Sequence, residues 1–240
     1  MSSSILFVFE GQNTEAQIKD NLTKYFVNEN SNIHCAYCSD IYQLHAKISK
    51  DEDLDTFVLL KERSQNTKIL SSYNRDDFAE IYMFFDYDGH ARNAQDYKIK
   101  DLLDFFNEET ESGKLFISYP MVEAIKHISE TINFKKLKVK AKENINYKKI
   151  VNDECINTLK DLTSLTQNNW FEIIELHLKK MNYIVNDDFT IPKEHISQLE
   201  IFKNQLNKFL NIDSTVSVLS AFPIFLFDYY GFEKIDKLIS

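Results

Sequence analysis

Two carboxylates that alternate at the end of an apolar run are the residues of this chain best placed to do chemistry. Residues 81–89 read Ile-Tyr-Met-Phe-Phe-Asp-Tyr-Asp-Gly, and the acids are Asp86 and Asp88. In an extended chain, residues two apart point the same way, so both carboxylates can converge beyond the C-terminal end of a strand. Converging carboxylates repel and raise each other's pKa unless a cation lies between them. A hard divalent cation with oxygen ligands, Mg²⁺ or Mn²⁺, is the matching partner. Residues 5–11, Ile-Leu-Phe-Val-Phe-Glu-Gly, repeat the pattern with Glu10. Glu10, Asp86 and Asp88 are therefore candidate catalytic acids and candidate metal ligands, suited to metal-assisted hydrolysis of a phosphodiester. Glu10, on a separate strand, could serve as ligand or as general acid/base. The bland alternative is a set of solvated acids at strand ends. Glu123, just past a fourth apolar run, is a further candidate ligand, although an acid there also suits the first turn of a helix.

These acids need a sheet to bring them together. Ile5–Phe9 and Ile81–Phe85 read as strands buried on both faces, as in a parallel sheet covered by helices. Asn13 and Thr14 are candidate caps for a helix with Ile18, Leu22 and Phe26 on one face. Ile33–Cys38 reads as another strand, followed by a helix capped at Ser39-Asp40. The acidic segment 51–55 leads to Phe57–Leu60, which periodicity leaves ambiguous. Further along come a helix around Ile99–Phe106, a turn over Glu108–Lys114 and a strand at Leu115–Ser118. Pro120 ends that strand's ladder, and a helix can begin nearby. The β-α-β-α-β-α-β order implies an α/β fold with a parallel sheet and right-handed crossovers. The texture changes near Phe134. Residues 1–130 read as an α/β domain, and 131–240 as a mainly helical region with patterns at Val151–Leu165, Trp170–Met181 and Ile196–Leu210.

Composition narrows the class. With 43% hydrophobic and 27% charged residues, the chain suits a globular fold. Only four glycines and three prolines argue against a turn-dense sandwich. Three cysteines cannot close a disulfide set, and a reducing cytoplasm is expected. The N-terminal run has no basic flank and stops at an acid, so a strand is expected there rather than a signal peptide. No stretch is long and apolar enough for a membrane span.

A net charge of −9 disfavours nucleic acid unless the basic residues cluster. They do cluster over 135–149, where Lys135, Lys136, Lys138, Lys140 and Lys142 form either a phosphate-binding surface or a solvated helix face. His90, just after the Asp-x-Asp-Gly, could touch phosphate or a leaving group, though a loop histidine is more often plain surface. Cys35-x-x-Cys38 beside His34 lacks a second cysteine pair at ligand spacing and reads as part of a strand. The tail Val216–Phe232 is strongly apolar and interrupted by Pro223. It suits burial in protein, at a core or a subunit interface, and offers more apolar surface than one helix of a small domain needs.

Glu-Gly after a first strand and Asp-x-Asp-Gly after a later one resemble the Toprim fold over roughly residues 4–125. The opening Phe-Glu-Gly-Gln-Asn-Thr-Glu is most like that of the nuclease domain of OLD-type proteins. By matching position, the resemblance implies that Glu10, Asp86 and Asp88 are the family's acids, and that Glu15 is a further metal ligand. No Walker A loop and no primase zinc motif is present. What remains is similar to stand-alone Toprim effectors of bacterial anti-phage defence. The expectation is thus a Mg²⁺-dependent nuclease on RNA or DNA, a toxic effector of abortive infection. It would work as a homo-oligomer or with a separate ATPase or regulatory protein, away from membranes. The alternatives are a non-catalytic metal-binding regulatory subunit and a primase-like nucleotidyl transferase.

Overall fold

The apolar runs that end in acids lie side by side in the middle of a sheet. The computed structural model describes residues 3–11, 14–26, 31–50 and 55–239. Asn13, one of the two candidate caps, and residues 51–54 of the acidic segment fall outside that set. The chain divides into two units, residues up to Phe85 with Gln95–Leu115, and Asp86–Ala94 with the residues from Phe116 onward.

The first unit is α/β. Its elements are β1 (Ser3–Phe9), α1 (Thr14–Tyr25), β2 (Ser31–Tyr37), α2 (Ile41–Ile48), α3 (Thr56–Lys61) and the short turn α4 (Thr67–Leu70). They continue with β3 (Glu80–Asp86), α5 (Asp96–Phe105), β4 (Asn107–Glu108) and β5 (Gly113–Ser118), of which Asp86 and residues 116–118 count with the second unit. The strand order is β2-β1-β3-β5-β4. β1 runs parallel to β2 on one side and to β3 on the other, with Phe9 paired to Tyr37 and to Phe84. Ile5–Phe9 and Ile81–Phe85 are all buried, as continuous apolar runs in a covered sheet should be. β1 and β3 run the same way, Glu10 comes directly after Phe9, and Asp86 is the last residue of β3.

Local chemistry explains the helix starts. Asp40 caps α2 by accepting the N–H groups of Tyr42 and Gln43, and Asp55 caps α3 through Phe57 and Val58. Phe57–Leu60 is thus helical, decided by its cap. Asn66, fully buried, accepts the Tyr37 N–H at 2.8 Å and donates to the carbonyls of Tyr37 and Leu60 at 2.9 and 2.8 Å. It pins the end of β2 to the α3 segment. The turn expected over Glu108–Lys114 is a hairpin, because Asn107 and Glu108 pair antiparallel with Lys114 and Gly113. Its two polar residues carry no strand pattern of their own.

The second unit is mainly helical: β6 (Lys138–Lys140), α6 (Tyr147–Glu154), α7 (Gln167–Asn186), α8 (Gln198–Gln205), α9 (Asn211–Asp213), β7 (Thr215–Ser217), α10 (Ala221–Tyr230) and α11 (Phe232–Ile239). α7 is its axis, burying Trp170, Ile173, Ile174, Leu178 and Met181. The apolar tail becomes β7, which pairs with β6, and α10, which packs on α7. Ala221–Phe227 are all buried within the unit, so this stretch of the tail is core. Pro223 is tolerated because it lies in the first turn, where an N–H has no partner inside the helix. No helix among the described residues is long and apolar enough to cross a membrane.

Candidate acidic site and its basic neighbours

β3 delivers Asp86 at the end of its buried run, and the carboxylate is itself almost enclosed, at 8% exposure. The chain then turns at Asp88, whose φ of 43° lies in the left-handed region. Aspartate tolerates that region better than most residues, and such backbone is concentrated at functional sites. The following glycine is needed for closeness. A Cβ on Gly89 would stand 2.4 Å from the Tyr87 ring and 2.9 Å from the Ala141 carbonyl oxygen. The loop is also tied down by the Asp88 N–H, which donates to the Pro120 carbonyl at 3.2 Å. His90 Nδ1 lies 2.8 Å from Asp88 Oδ1, so this histidine serves the acid loop directly.

Glu123 belongs to the same unit, on the 3₁₀ turn that follows β5. It is 5% exposed, Lys148 Nζ stands 3.2 Å from its Oε1, and its Oε2 has no hydrogen-bond partner among the described residues. A buried carboxylate oxygen without a donor is costly, and in native proteins such a group calls for an explanation. The hydroxyl of Tyr147, a buried residue, feels the charge of both Glu123 and Asp86. Burial, and then the carboxylates of Glu123, Asp86 and Glu154, hold it well above the usual tyrosine range.

Tyr147 ends a chain of hydrogen bonds that starts at the exposed Glu154. His127 Nε2 is 2.9 Å from Glu154 Oε2, and its Nδ1 is 3.0 Å from Tyr147 Oη. Burial lowers the His127 pKa against the opposing pull of Glu154, which keeps the ring neutral at pH 7. With Nε2–H donating to the carboxylate, Nδ1 must accept from the tyrosine O–H. The Tyr147 oxygen, its proton engaged by His127, is left as an acceptor. His127, Tyr147 and Glu154 went unread in the sequence, since no motif links residues so far apart.

Comparison of the chain with family models, with characterised proteins and with solved structures returns no match.

The other candidate residues fall into separate places. Glu10 follows β1 in a half-buried bend. Glu15, in the first turn of α1, accepts the Gly11 N–H at 3.0 Å and closes the β1–α1 turn. The lysine run is not one helix face. It is a 3₁₀ turn over Phe134–Lys136, the strand β6 and the start of α6. Lys135 lies over the Tyr183 ring, Lys138 pairs with Asp213, and Lys140 donates to the Asp213 carbonyl. Lys142 donates to Tyr87 Oη at 2.8 Å, which brings it beside the Asp86–Asp88 loop. Lys136 is exposed.

Cys35 and Cys38 carry no sign of a reactive pair. Burial pushes the Cys35 thiol up to about 11 and raises Cys38 as well, so neither is a thiolate at neutral pH. His34 packs on Tyr73 and Phe78. Among the described residues, no three His, Cys, Asp or Glu side chains gather into a preformed metal cage. Mg²⁺ asks for less, since it keeps several waters and takes one or two carboxylates plus substrate phosphates.

Proposed function

We propose that this chain is a Mg²⁺- or Mn²⁺-dependent hydrolase of phosphodiester bonds in RNA or DNA. Asp86, Asp88 and Glu123 would hold the cation, and Glu10 keeps the role that the sequence resemblance implies for it, ligand or general acid/base. The observation that carries the reading is the buried, unpartnered Oε2 of Glu123, in the unit that also holds Asp86 and Asp88. The donors are all carboxylate oxygens, the chemistry that hard divalent cations require. When bound, the cation would act as a Lewis acid on the phosphate and help to activate water. The protein's own part is to fix the carboxylates on a tied-down loop, with Lys148 and Lys142 placing positive charge beside them for the phosphate backbone. The Tyr147 oxygen, acceptor only, would accept a hydrogen from a water bound beside it.

Incubation of the purified chain with labelled single- and double-stranded RNA and DNA, with Mg²⁺ and with EDTA, tests this. Cleavage that needs the metal and disappears in Asp86→Asn and Glu10→Gln supports it. Metal binding without cleavage of any substrate would return the chain to a regulatory subunit. The Toprim identity and a role as a toxic effector of anti-phage defence rest on the sequence resemblance. They require that expression arrest growth in the wild type and not in Asp86→Asn.

A further inference from the structure

We propose that the cleft beside Asp88 receives one unstacked nucleobase of the substrate strand; this rests on the reading of the chain as a nucleic-acid hydrolase. The cleft has a volume of about 160 Å³ and is walled by the acid loop at His90, by Pro120 and Met121, and by residues 140–141 and 143–148. It shares two walls with Asp88, because Pro120 accepts the Asp88 N–H and His90 meets the Asp88 carboxylate. A strand whose phosphate lies over the acids would thus have a neighbouring base at its mouth.

Size and lining select the ligand. Sites for drug-sized molecules run to roughly 300–1,000 Å³, so this cleft takes a single ring system and leaves sugar and phosphate outside. Pro120 and Tyr147 are buried and Ile145 is half-buried, which gives an apolar floor for a flat ring. Asn146 supplies the polar edge. It precedes α6 in the left-handed conformation, φ 52° and ψ 51°, yet its side chain makes no capping bond to that helix. The exposed amide offers both donors and an acceptor, the pairing that reads a base edge. Lys140 and Lys148 are part of the lining and supply positive charge for the base's phosphate. A base stacked inside a duplex cannot enter, so the site implies single strands, loops or flipped bases.

The test titrates the full chain with the four nucleoside 5′-monophosphates, with inorganic phosphate, and with one oligonucleotide sequence as single strand and as duplex. Binding is followed calorimetrically in wild type, in Ile145→Trp, which fills the cleft, and in Asn146→Gly, which keeps the backbone conformation and removes the amide. The expected result is binding of at least one monophosphate and a preference for single strand over duplex. Both variants should weaken that binding by about tenfold, the effect of one stacked base. Failure of every monophosphate to bind overturns the proposal, as does equal displacement by inorganic phosphate, or variants that bind like wild type. Mn²⁺ binding by the same variants separates this proposal from the hydrolase reading. Intact Mn²⁺ binding with no nucleotide bound rejects the cleft alone, and nucleotide binding without any metal site rejects the metal alone.

Discussion

Lys180 offers a measurable test of how the second unit is held together. The side chain is fully buried in α7, and its Nζ donates to the carbonyls of Phe134, Lys135 and Leu137 at 2.6, 2.9 and 2.8 Å. Three ammonium protons thus meet three acceptors in the turn that launches β6 and, through it, one wall of the base cleft. Burial lowers the lysine pKa from 10.5 to about 7, which costs the charged form roughly 5 kcal/mol. Three hydrogen bonds from a charged group return about 1.5–3 kcal/mol each. Lys180→Met keeps the length and strands the carbonyls, so it should destabilise by about 1–3 kcal/mol for each carbonyl left without a donor. Trp170, the single tryptophan, is buried in the same helix and reports urea unfolding by its fluorescence. The pH dependence has a definite sign. Between about pH 7 and 10.5 the unfolded chain keeps a proton here that the folded chain has released, so stability rises with pH across that window. The methionine variant lacks this contribution, and its deficit should grow from about pH 7 upward. A variant as stable as wild type, or a deficit that shrinks as the pH rises, would refute the reasoning.

Gly89→Ala should destabilise by about 1–3 kcal/mol, because the new Cβ meets a buried Tyr87 ring and a backbone oxygen; an unchanged urea midpoint would contradict this. Asn66→Ala should cost about 2–4 kcal/mol by leaving the Tyr37 and Leu60 backbone groups without their partner, and hydrogen exchange should accelerate first at Tyr37. Neutralising Lys136, Lys138 and Lys140 together should weaken nucleic-acid binding and flatten its salt dependence, each lost phosphate contact lowering the slope by about one. An unchanged slope would leave these lysines to their contacts within the protein.

The central strands were legible in the sequence because they are buried on both faces, so burial itself wrote the apolar runs at Ile5–Phe9 and Ile81–Phe85. The acids that end them could be named for the same reason, since a charge after such a run breaks the pattern. Phe57–Leu60 was ambiguous to periodicity, although Asp55 carried the deciding signal as a cap. The lysine run misled in one of its two readings. Lys-Val-Lys over residues 138–140 alternates with the period of a strand, and that short signal is masked by the surrounding charge. The tail looked like surface in search of a partner because it is apolar all round, the same pattern that a fully buried helix has. Of the site, Glu123 was visible only as an acid near a turn. Its burial beside Lys148 is a matter of packing. The Glu154–His127–Tyr147 chain joins side chains that come together only in three dimensions, as does the cleft that Asn146 faces.

The account stands or falls on whether the acid loop holds a divalent cation. Mn²⁺ titration followed by electron paramagnetic resonance, in which bound ions leave the free-ion signal, measures this without any assumption about substrate. The account predicts saturable binding by the wild-type chain, competed by Mg²⁺ and weakened in each of Asp86→Asn, Asp88→Asn and Glu123→Gln while the fold is kept. Binding that is absent in the wild type, or undiminished when these carboxylates are neutralised, would contradict it.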